Sequence, residues 1–182
     1  MSDTIRAATD RLIQLSLDAG RPLSPLPLQK LLYFVEGWHL ALTGAPLFDE
    51  EIQAWKDGPV VPSVYRRMKG FKDADIPADV IDTRPDQTLS PHALSIIDQV
   101  FEAYGTLDAG TLVGLTHLPG SPWDQTRADA GVLRGASSKL PIDAERIRAW
   151  FREALDAGLE PETTELVDVS PEELRDWTPA AA

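Results

Sequence analysis

The sequence predicts a mainly helical, compact domain around a buried central helix, with a small β element and an acidic C-terminal tail. Three observations predict it. Apolar residues recur at helical spacing through most of the chain. Serine–proline pairs stand where helices would begin: Ser90-Pro91, Ser121-Pro122 and Ser170-Pro171. One short stretch, Ile52 to Val61, has the pattern of two strands joined by a tight turn.

Each element follows in order. A first helix is expected over Asp3–Ala19, with Ile5, Ala8, Leu12 and Leu15 on one face and Gly20 as its stop. A second runs from about Pro27 to Gly44. Its apolar residues cover nearly the whole circumference, so it should be the central, buried helix. Ile52–Trp55 reads as a strand, Asp57-Gly58-Pro59 as the turn and Val60-Val61 as the returning strand. Pro62 then opens a short helix that reaches Gly70, and the polar stretch Phe71–Leu89 is expected to be a surface loop. Further helices are expected at Pro91–Tyr104, Ala109–Leu118, Pro122–Ala130 and Ala144–Ala157. A second strand within Gly131–Pro141 would pair with the first. Ser121 with Asp124 comes close to a capping box. The domain is expected to span 1–157, followed by an acidic tail over 158–182.

Charge narrows the function classes. Lys and Arg number 17 against 29 Asp and Glu, a net charge of −12. Nucleic-acid binders normally neutralise phosphates with Lys and Arg, so direct nucleic-acid binding is not expected. An anionic membrane surface would be repelled for the same reason. Half of the charge is concentrated at the end: residues 160–182 hold seven acids against Arg175 alone. There is no cysteine, which removes disulfide and thiolate chemistry. The N-terminus lacks the basic and apolar regions of a signal peptide, and the longest apolar run, Leu31–Val35, is far shorter than a membrane span. A cytoplasmic location is expected.

Catalytic motifs are missing: nucleophile-elbow, P-loop and dinucleotide fingerprints do not occur. Glu36 and His39 echo half of a carboxylate-bridged di-iron motif, but the second Glu-x-x-His pair is absent. No cofactor and no metal are expected. Two stretches stand out, Trp55–Arg66 and Leu115–Asp124. Each joins a large aromatic to a rigid Gly/Pro turn, the composition of a protein-binding hot spot. The same composition also suits tryptophans that plug the core where turns enter helices.

Those stretches carry a family resemblance. The run Lys30–Leu40, then Pro46-Leu47-Phe48, then Ile52–Tyr65 resembles the signature of the Panacea-domain antitoxin family. Leu115-Thr116-His117 and Ser121-Pro122-Trp123 match its second block, and Leu140-Pro141-Ile142 through Trp150-Phe151 its closing helix. The pattern is most similar to the SocA-like branch. The resemblance implies a non-enzymatic protein that binds and neutralises a toxin encoded beside it. In the SocA-like branch it further implies a proteolytic adaptor, which delivers a SocB-like toxin to the ClpXP protease. Candidate partner-binding residues are Trp55, Lys56, Asp57, Gly58, Pro59, Val60, Tyr65, Arg66, Thr116, His117 and Trp123. In the tail, Leu174, Trp177, Ala181 and Ala182 are candidates for a protease tether. Two other readings stay open: an antitoxin that masks its toxin without proteolysis, and a small metal-dependent hydrolase using His39, His117 and the acids Asp49-Glu50-Glu51.

Overall fold

A computed structural model of the chain describes residues 1–82, 88–133 and 135–158. The described residues form seven α-helices, two 3₁₀ turns and one three-stranded sheet. Helix α1 spans Asp3–Asp18, with Ser2 capping its first turn. Helix α2, Pro25–Thr43, is buried on nearly every face and touches α1 and the four helices α3, Pro62–Met68, α4, Pro91–Tyr104, α5, Ala109–Thr116, and α7, Ala144–Asp156. It is the central helix that its all-round apolar pattern calls for. It begins two residues before the expected Pro27. Ser24 takes the N-cap position and Pro25 enters the first turn, where no intrahelical N–H is needed. It stops at Gly44, whose φ of +75° a side chain would resist.

The small sheet pairs β1, Gln53–Trp55, with both β2, Gly58–Val60, and β3, Leu140–Pro141, in antiparallel fashion, giving the order β2-β1-β3. The expected strand in Gly131–Pro141 is present at the end of that segment. The hairpin differs from the expectation in register: Gly58 and Pro59 lie in β2, and the turn is Lys56-Asp57. Pro59 is tolerated because β2 is an edge strand that can spare a donor. Val61 leaves the strand to cap α3.

The segment from Phe71 departs from a plain surface loop. Ile76 is fully buried and its N–H donates to Leu23 O at 2.9 Å, and Ala78–Val80 forms a 3₁₀ turn. Asp10 on α1 fixes the far end by accepting from Asp82 N at 3.2 Å, while Arg67 pairs with it at 2.8 Å. An isolated isoleucine among polar residues leaves no periodicity, so the sequence pattern could not reveal the anchor. Residues 83–87 lie outside the described residues.

Helix α6 spans Pro122–Asp129 and, like α5 and α7, ends one or two residues before the expected boundary. The Ser–Pro starts at α4 and α6 behave as caps: Ser90 Oγ accepts from Ala93 N and Ser121 Oγ from Asp124 N. The second half of the expected capping box is displaced by one residue, since Asp124 Oδ2 accepts from Gly120 N at 2.9 Å. An aromatic group joins α2, α4 and α7. Phe34 stacks on Tyr104 at 4.4 Å, Trp38 meets Phe151 edge-on at 5.3 Å, and Trp38 Nε1 donates to Tyr104 Oη. Residues from 159 onward, including Ser170 and the candidate tether residues Leu174, Trp177, Ala181 and Ala182, lie outside the described residues.

Candidate interaction site

The β1–β2 hairpin is fixed from below by α2. Lys30 is fully buried and its Nζ donates to Pro59 O at 3.0 Å. Its ammonium fits only because residue 58 is glycine. With φ at +102°, Gly58 would place a Cβ within 2.6 Å of Lys30 Nζ and 2.8 Å of Thr116 Oγ1. Burial pushes the Lys30 ammonium down to about 7, with Asp57 opposing the shift. On the residue before it, Gln29 Oε1 accepts from Val61 N at 2.8 Å, holding the end of β2.

The two outstanding stretches meet here. Trp123 Nε1 donates to Trp55 O at 2.7 Å, and the His117 ring stacks on Trp123 with centroids 3.6 Å apart. The Arg127 guanidinium lies over the Trp123 ring, 4.9 Å from its centroid, and donates to Ala54 O and Ala136 O. Ser121 Oγ donates to Thr116 O, so the turn between α5 and α6 is tied to the same frame.

The candidate residues divide by depth. Gly58, Pro59, Val60, Thr116, His117 and Trp123 are buried and form the frame. Lys56, Asp57, Tyr65 and Arg66 are exposed, and Trp55 is half-buried with its ring against Tyr65, centroids 4.7 Å apart. Beside this exposed group lies a cleft of about 490 Å³, bounded by the start of α2, the hairpin, α3 and residues 137–139. Sequence reasoning passed over Lys30, Gln29 and Arg127. A lysine and a glutamine inside a mostly apolar helix were the available signal.

The histidines have different surroundings, although His92 acts electrostatically on His39. His39 is half-buried with Nδ1 2.9 Å from Ala45 O, His92 is exposed, and His117 sits under Trp123. Among the described residues no three His, Asp or Glu side chains are grouped to hold a metal ion, so His39, His117 and Asp49–Glu51 are not brought together as one site. Nor is any described helix long and apolar enough to cross a membrane.

The whole is a helical scaffold that presents a rigid aromatic and charged hairpin. The family model for SocA-like antitoxins, the Panacea domain, matches residues 28–124, a stretch that contains Lys30, the hairpin and Trp123. The chain belongs to this antitoxin family. Among curated proteins it is similar to Antitoxin SocA of Caulobacter vibrioides, 35% identical over 143 residues that cover 74% of this chain and 76% of the relative. No solved structure matches the chain significantly.

Proposed function

We propose that this antitoxin grips its cognate toxin with the exposed part of the hairpin and α3, namely Trp55, Lys56, Asp57, Tyr65 and Arg66. In this reading Gly58, Pro59, Val60, Thr116, His117 and Trp123 hold that surface in shape. One observation carries the assignment: the aromatic and charged residues at the surface stand on a backbone pinned from within by Lys30 and Trp123. A pre-shaped aromatic surface loses little entropy on binding, which favours affinity.

We further propose that the protein acts without catalysis, in the cytoplasm, as a proteolytic adaptor that passes a SocB-like toxin to ClpXP. Similarity to Antitoxin SocA supports this reading. Leu174, Trp177, Ala181 and Ala182 in the acidic tail are the proposed protease tether. The charge of −12 would speed encounter with a basic toxin.

The test uses the toxin encoded beside this protein. Lys56→Glu and Arg66→Glu should each weaken its co-purification while leaving the unfolding transition unchanged. If both leave binding untouched, these residues are scaffold. Toxin half-life with and without ClpXP separates adaptor from simple masking: an equal half-life defeats the adaptor reading.

A further inference from the structure

The chain contains five lysines, and all of them converge on the hairpin. Lys30 is buried behind it, while Lys56, Lys69, Lys72 and Lys139 line the 490 Å³ cleft. The arginines elsewhere are mostly engaged: Arg6, Arg11, Arg67, Arg146, Arg148 and Arg152 each pair with a carboxylate. The four cleft lysines form no ion pair with any described residue; Lys139 alone has a partner, the Trp55 ring 5.7 Å away. Two acids share the cleft, Asp57 and Asp73, and Asp57 acts electrostatically on Lys30. On a protein with twelve excess negative charges, this is a concentrated positive site.

A second observation points to a ligand independently of the lysines. Gln29 also lines the cleft and is 97% buried, being 3% exposed. Because its Oε1 is fixed by Val61 N–H, its Nε2 is the free end, and that amide has no hydrogen-bond partner among the described residues. A buried donor left unsatisfied is destabilising, and a ligand acceptor would relieve that cost. Four ammonium groups and one amide N–H₂ outnumber the two carboxylates of the cleft. The complementary ligand therefore carries excess negative charge and acceptors, which describes a carboxylate-bearing peptide. Trp55 and Tyr65 in the same wall would receive its apolar side chains.

We propose that the cleft holds part of the chain's own acidic segment, residues 160–182. This segment carries seven carboxylates interspersed with Leu166, Val167, Val169, Leu174 and Trp177, matching both halves of the cleft. Reach does not limit it. The 24 residues after Gly158 can span roughly 80 Å when extended. A domain of this size has a radius of gyration of only about 15 Å. Tethering raises the segment's local concentration to the order of millimolar. The segment therefore competes with the toxin for the hairpin, and the toxin's arrival releases the tail toward the protease. That regulatory consequence rests on the proposed toxin face; the docking itself does not.

Zero-length carbodiimide cross-linking of the full chain, mixed with an isotope-labelled copy and mapped by mass spectrometry, tests the docking. Links are expected within one chain, from acids 160–176 to Lys56, Lys69, Lys72 and Lys139, and are lost in 1 M salt or in K69E/K72E. Tail carboxylates that link only to the N-terminal amine, to nothing, or between differently labelled chains overturn it. In a second arm, all seven tail acids are changed to amides in the full chain. Acetylation of the four lysines should then accelerate severalfold; an unchanged rate also overturns the docking. Toxin co-purification is scored separately. Loss of the links with toxin binding intact removes only this inference, and links that persist while K56E and R66E bind toxin normally remove only the toxin face.

Discussion

At Lys30 and Glu36, one helix carries two ionisable groups that burial has moved in opposite directions. The Lys30 ammonium is pushed down to about 7 by loss of hydration. An unfolded lysine keeps its proton to about pH 10. Below pH 7 both states are protonated and the cost of burial is fully felt. Between pH 7 and about 10 the native state sheds a proton that the unfolded state retains, so stability rises with pH. Lys30→Met should flatten that rise, read as the urea midpoint from pH 7 to 9.5; a variant that keeps the rise places the titration elsewhere. Burial also raises Tyr33 and Tyr104, whose effect begins only above pH 10.

Glu36 behaves inversely. Burial pushes its carboxyl up to about 7, although the carboxylate accepts from Leu47 N at 3.0 Å and Phe48 N at 3.1 Å. Its stabilising contribution is complete below the unfolded value near 4.3 and is lost as pH rises through 7. Glu36→Gln retains an acceptor for both amides without the charge. The variant should match the native protein at pH 4 and exceed it in urea midpoint at pH 8; equal midpoints at both values contradict the assignment.

At the scale of elements, serine caps and prolines set where helices begin, and their contexts give them different weights. Ser90 only caps α4. Ser121 caps α6 and also donates to Thr116 O, tying the second motif block to the site frame. Ser90→Ala should cost about 1 kcal/mol. Ser121→Ala loses the cap and leaves a buried carbonyl without its donor, for a total of about 2–3 kcal/mol. Thermal unfolding of the two variants measures the difference, and equal losses would show that the Thr116 bond contributes nothing.

For the whole molecule, closure of the core depends on α7 approaching α2 at Gly37. A Cβ there would lie 2.2 Å from the Phe151 ring, too close for the two helices to keep their spacing. Gly37→Ala gains helix propensity but forces Phe151 from its place among Tyr33, Phe34 and Trp38. Overpacking of this kind typically costs about 1–3 kcal/mol, which outweighs the roughly 1 kcal/mol propensity gain at the upper end. A lowered urea midpoint with the slope preserved is the expected result, and a raised midpoint would show that α7 can move away freely.

Legibility followed the physical range of each signal. The central helix was visible because apolar residues on every face admit only a buried position, and helix starts were visible because Ser–Pro capping is local. The hairpin register was missed by two residues: whether Gly58 and Pro59 turn or pair depends on Lys30 and Trp123, which are distant in sequence. Ile76 was hidden for the same reason. The site shows the division most clearly. By itself the sequence determined that Trp55, Tyr65, His117 and Trp123 stand beside rigid turns, and it carried the family. Only the tertiary structure decided which of them are buried beneath the hairpin and which are exposed. It also gathered four lysines that form no ion pair with a described residue from three separate segments around one cleft, because charge proximity is set by how helices pack and leaves no trace in local spacing.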